Sequence, residues 1–210
     1  MRILVAGASG VLGRATLPHL HGHEVVGLTR TQAKLEVVRK LGAEAVVCDV
    51  YERDALVEVA RDARPEIVVN FLTDLSTGST EANNRMRREG AANLLAAAEA
   101  SGAARLVVES VAFGLDGDGQ LAVDKLERAA RAFAGESLIL RFGRLWGPGT
   151  FHREAPGPPA IYVDKAGVEA ARLVVGAPPG SYVVTDARTG SAEAGGEGAP
   201  TGSGRRRDQP

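Results

Sequence analysis

Aromatic residues are scarce in this chain, at 4%, which argues against a surface that binds sugars or single-stranded RNA by stacking. A single cysteine, Cys48, excludes an internal disulfide and any multi-cysteine metal site. No apolar run approaches the roughly 20 residues of a membrane span. Neither sign of charge prevails: 25 Lys and Arg stand against 26 Asp and Glu, a formal net charge of −1. Nothing there draws nucleic acid or an anionic membrane over distance. The chain enters the apolar run Ile3-Leu4-Val5 at once, without the regions of a signal peptide, so a soluble cytoplasmic protein is expected. Only four of the basic residues are lysines. A lone arginine therefore says little here, and each lysine says more.

What is present is enough for one α/β domain: 210 residues, 44% of them apolar. Near-continuous Val/Ile/Leu runs mark strands buried on both faces at Arg2–Ala6, Glu24–Leu28, Ala45–Cys48, Glu66–Phe71, Arg105–Ser110 and Ser137–Phe142, with a shorter one at Ser181–Thr185. Helix patterns lie between them. Thr31 and Gly42 bound the second, Pro18 kinks or shortens the first, Gly102 closes a long one over Thr80–Ser101, and Gly135 closes one that starts near Gln120. The alternation predicts a doubly wound parallel sheet, a Rossmann fold with helices on both faces, over residues 1–186. From about Ala187 the chain has no Val, Ile, Leu, Met or aromatic residue, so residues 187–210 are expected to be a disordered Gly-rich tail. Its Arg205-Arg206-Arg207 reads as solvated charge.

The strongest local signal is Gly7-Ala8-Ser9-Gly10-Val11-Leu12-Gly13, placed between the first strand and the first helix. Gly7 permits the tight turn, Gly10 lets the backbone approach a pyrophosphate, and Gly13 lets the helix pack closely on the sheet. The helix N-terminus offers N–H groups and partial positive charge to phosphate. At the end of the second strand, Thr29-Arg30 carries no acid for a ribose 2′-hydroxyl. Arg30 suits a 2′-phosphate, which favours NADP(H) and leaves NAD(H) possible.

With these residues the chain resembles the short-chain dehydrogenase/reductase superfamily, closest to its extended and atypical branch, the NAD-dependent epimerase/dehydratase-like proteins. Gly7, Gly10 and Gly13 match the family's glycine turn, and Asp49-Val50 its Asp near the adenine. Asn93-Leu94-Leu95-Ala96-Ala97-Ala98 matches a segment of the fourth helix. Arg141 to Gly149 is similar to the element after the sixth strand, and Ile161 to Lys165 to a later one. The resemblance implies that Gly7, Ser9, Gly10, Val11, Leu12 and Gly13 hold pyrophosphate and that Phe71, Leu72 and Thr73 line the nicotinamide side. It also implies a homodimer formed through the helices after the third and fourth strands.

The family's proton-transfer set is Ser, Tyr and Lys, with Tyr and Lys four residues apart. Ser110 matches the Ser and Lys125 the Lys, but the Tyr position holds Leu121, and Arg87 stands where the family has asparagine. Lys125 either holds the nicotinamide ribose or lies on the exposed face of its helix. Ser110 either orients the substrate oxygen or ends a buried strand. Tyr162 reads as a half-buried strand residue, His19, His21 and His23 as a solvated turn, and Cys48 as a small buried hydrophobe. Arg85, Arg87 and Arg88 read as a solvated face. Only eleven residues separate Gly149 from Ile161, too few for a nucleotide-sugar pocket. The expected function is an NAD(P)-dependent oxidoreductase or epimerase/dehydratase-like protein acting on a small carbonyl or alcohol. The alternative is a non-catalytic NAD(P)(H) sensor.

Overall fold

The computed structural model describes residues 1–74 and 79–187, and residues 189–191 as backbone. Seven parallel strands form the sheet: β1 (Arg2–Ala6), β2 (Glu24–Thr29), β3 (Glu44–Val47), β4 (Ile67–Asn70), β5 (Arg105–Val111), β6 (Glu136–Phe142) and β9 (Gly180–Val184), with β10 (Thr189–Ser191) antiparallel on the edge. Their order is β10-β9-β6-β5-β4-β1-β2-β3. The strands β7 (Arg144–Trp146) and β8 (Ala160–Tyr162) pair separately. The order reverses between β1 and β4, and ligands of such sheets bind at that switch point, outside the carboxyl ends of the strands.

Strand alternation sends successive side chains to two cores. Ile3, Val5, Val69, Val107, Leu138 and Leu140 pack with α1 (Val11–Thr16), α2 (Leu35–Lys40) and α7 (Val163–Gly176). Leu4, Val26, Val68, Leu106, Val108 and Ile139 pack under α3 (Arg53–Ala63), α5 (Ala91–Ala100) and α6 (Gly117–Arg131). The helices α1 and α7 touch at Gly167, where a Cβ would lie 2.2 Å from Ala15 O.

Several expected boundaries move. The helix expected over Thr80–Ser101 is α4 (Thr80–Arg85), a π-helical turn over Met86–Gly90, and then α5. Propensity does not announce such a turn. Pro18 does shorten α1, whose end passes into a 3₁₀ turn at Leu17–His19. Gly42 and Gly102 take positive φ after α2 and α5, whereas α6 ends at Arg131, ahead of Gly135. Thr31 caps only a 3₁₀ turn and lends it no side-chain bond. In the expected tail, Thr189–Ser191 pairs with β9 by backbone bonds that need no apolar side chain; the rest of that expectation lies outside the described residues.

Candidate active site

β1 ends at Ala6, and Gly7 turns the chain with φ +85°. A Cβ at Gly7 would stand 2.4 Å from Phe71 O, and one at Gly13 would stand 2.3 Å from Gly7 O. Both glycines are thus required by backbone contacts. The Gly10 N–H donates to Gly7 O at 2.9 Å, and the Arg14 N–H donates to Gly10 O at 3.0 Å. Gly10 caps α1 in extended conformation with no side-chain acceptor, so the cap gives the first-turn N–H groups no partner. Ser9 Oγ lies 3.2 Å from Thr29 Oγ1, which fastens the turn to the end of β2.

Gly7, Ser9 and Gly10 form one wall of a cleft. Arg30 and Val50 line it from the β2 and β3 ends, and Leu72 and Thr73 from the β4 end. Val11, Leu12, Gly13, Asp49 and Phe71 do not line it: Leu12 and Phe71 are core residues, and Gly13 is packed against the turn. Asp49 spends one carboxylate oxygen on the Tyr51 N–H at 3.0 Å, in the turn that leads to α3. Sequence reasoning missed Thr31, Lys34, Cys48 and Met86, which also line the cleft. Of these, Lys34 was legible as a scarce lysine just after the second strand. Arg30 Nη1 lies 3.5 Å from Asp74 Oδ2, so this cation is held at the rim by the loop after β4. Burial raises the Cys48 thiol, with the charges of Asp49 and Glu52 adding to the effect, so Cys48 stays a thiol.

The proton-transfer set is arranged differently from the family's. Ser110 is buried, and its Oγ donates to Glu127 Oε1 at 2.7 Å. With its one proton committed, Ser110 can only accept from a substrate, so it does not polarise a carbonyl. Glu127 also accepts from Arg141 Nε at 2.8 Å and from Arg131 Nη2 at 2.7 Å. Burial works against its ionised form, but the bonds from Arg141, Ser110 and Arg131 and the Arg141 charge prevail and hold the carboxyl at about 2. Lys125 is exposed and lines a second groove, with Asn70 and Arg87, between α5 and α6. Leu121 is 65% exposed on the same helix, so no core contact explains a leucine there. Tyr162 lies edge-on to Trp146 at 4.8 Å, and Arg144 stacks on Phe113 at 4.4 Å.

Residues 3–113 match the NAD dependent epimerase/dehydratase family. The chain belongs to that family. A Streptomyces 3-diazoavenalumate denitrifying reductase is 36% identical over 180 residues; the match covers 71% of this chain and 58% of that protein's length. Among solved structures, the Bordetella bronchiseptica enzyme WbmG in complex with NAD superposes with a TM-score of 0.71 at 18% identity, covering 91% of this chain and 74% of that one. A Stenotrophomonas UDP-glucose-4-epimerase with bound NAD gives 0.74 at 15% identity, over 91% and 80%. These two show the shared fold. The glycine turn, its tight packing and the uncapped start of α1 fit a nicotinamide dinucleotide.

Proposed function

We propose that this protein is an NAD(P)(H)-dependent oxidoreductase that reduces a small carbonyl substrate, or oxidises the matching alcohol, with NADP(H) preferred. The observation that carries the reading is the cleft where the glycine turn meets Arg30 and Lys34 at the switch point of the sheet. A bound nicotinamide supplies the hydride chemistry. The glycine turn and the first N–H groups of α1 hold the pyrophosphate. Arg30 and Lys34 hold the 2′-phosphate, Val50 the adenine, and Leu72 and Thr73 flank the nicotinamide. Ser110, fixed by Glu127, accepts a hydrogen bond from a substrate hydroxyl. The eleven residues between Gly149 and Ile161 argue against a nucleotide sugar and for a small molecule. We place a homodimer contact on α3 and α5, to be checked by light scattering.

The Streptomyces relative favours a second substrate class. Hydride that reaches an aryl diazonium carbon forms a C–H bond as the C–N bond breaks and dinitrogen leaves with its electron pair. No oxygen is protonated, which suits Leu121. The test is a screen of the purified protein with NADPH and NADH against small aldehydes, ketones and one aryl diazonium acid, followed by loss of nicotinamide absorbance. Turnover of a carbonyl supports the main reading, and turnover of the diazonium acid alone supports the second. Dinucleotide binding without any turnover contradicts both and leaves a sensor.

A further inference from the structure

The π-helical turn Met86–Gly90 stands between the dinucleotide cleft and the second groove, and its side chains divide between the two. Met86 lines the cleft, whereas Arg87 and Arg88 line the groove between α5 and α6. Leu106 and Val108 of β5 form an apolar bed there, with Leu94 and Leu126 on either side. Asn70 lines it at the carboxyl end of β4, and its Oδ1 accepts from the Leu72 N–H at 3.0 Å. Leu72 in turn lines the cleft, so groove and cleft are joined on the side where the reading above puts the nicotinamide. Among the described residues no acid lines the groove, while three cations do: Arg87, Arg88 and Lys125. Arg88 is paired with Glu81 at 2.8 Å. Arg87 and Lys125 make no hydrogen bond or ion pair among the described residues. The acids around them are engaged elsewhere: Glu89 with Arg85, Asp124 with Gln120, and Glu127 with Ser110, Arg131 and Arg141. Arg87 is half-buried, and burial lowers the pKa of its guanidinium despite the Glu109 charge. An unpaired cation held partly out of water costs free energy that a bound anion offsets. Neither Arg87 nor Lys125 lines the dinucleotide cleft, so the phosphates of the cofactor are not that anion.

We propose that Arg87 and Lys125 bind a carboxylate on the substrate, so that the carbonyl compound this protein reduces is an acid with an apolar body. This rests on the reductase reading above. Arg87 offers a planar fork that matches a carboxylate with two parallel hydrogen bonds, and Lys125 adds a point charge. The Leu and Val bed takes the apolar body, and the Asn70 end of the groove directs the carbonyl toward the nicotinamide. Where the family has a neutral amide, this chain has the cation Arg87. That exchange makes position 87 a determinant of which substrates are taken.

The experiment titrates benzoate and benzamide into the dinucleotide-saturated protein, as wild type, Arg87→Gln, Arg87→Lys and Lys125→Gln. Neither probe has to be turned over. Benzoate is expected to bind the wild type and the neutral benzamide to fail. Benzoate affinity is expected to fall at least about tenfold in Arg87→Gln and in Lys125→Gln, and Arg87→Lys, which keeps the charge, to recover part of the loss. In turnover, formylbenzoate is expected to exceed benzaldehyde by at least about tenfold in kcat/KM, with most of that margin erased in Arg87→Gln. Benzoate that does not bind, or that binds wild type and Arg87→Gln equally, overturns the proposal and leaves the reductase reading standing. A dimer that dissociates in Arg87→Gln, read by light scattering, also overturns it, because the groove is then a contact between copies. If the wild type binds no dinucleotide, the reductase reading has failed and the substrate assignment falls with it.

Discussion

Glu127 and Glu109 are two acids with opposite fates, and pH separates them. Glu127 accepts from Ser110, Arg131 and Arg141, which ties α6 to β5 and β6. Its folded carboxyl is depressed to about 2, so this stabilisation is complete above the unfolded value near 4.3 and is lost as pH falls toward 2. Glu127→Gln is expected to cost about 2 kcal/mol at pH 7, with the gap to wild type closing in acid; urea melts at several pH values check this. Glu109 is raised, so its sign is reversed. Its penalty on the folded state is absent below about pH 4 and complete above about 7, and Glu109→Gln is expected to melt higher than wild type at pH 8 by roughly 2 kcal/mol. Both acids were open to view in Val107-Val108-Glu109-Ser110 and Lys125-Leu126-Glu127. What the sequence does not show is which acid the arginines reach, because that depends on how α6 lies across β5.

At the scale of elements, the helices are held by close backbone approach as much as by apolar faces. Gly167 lets α7 rest on Ala15 of α1. Gly167→Ala is expected to cost about 1–3 kcal/mol and to lower Tm, with dinucleotide affinity less affected. Gly13→Ala meets Gly7 O at 2.3 Å and is expected to remove dinucleotide binding, because the turn itself must move. The strands were readable because a run buried on both faces has no polar break. Their ends were readable only to a residue or so, as with β3, which begins at Glu44 and leaves Cys48 to the cleft. The π turn at Met86–Gly90 was not readable, since an extra residue in a helix leaves the apolar pattern on either side intact.

For the whole molecule, the sheet order places the glycine turn, Arg30 and Leu72-Thr73 around one cleft, and that much followed from strand–helix alternation and the glycine spacing. The rim was less legible, because the Arg30–Asp74 contact joins two loops that are distant in sequence. The most direct test is a side-by-side titration with NADPH, NADP⁺, NADH and NAD⁺, read by thermal shift and nicotinamide fluorescence, on wild type and Arg30→Ala. The expected result is tighter binding of the phosphorylated pair, with at least about a tenfold loss in Arg30→Ala confined to that pair. Equal affinities for the two pairs, unchanged in Arg30→Ala, would contradict the NADP(H) assignment, and no shift with any of the four would contradict the cofactor site itself.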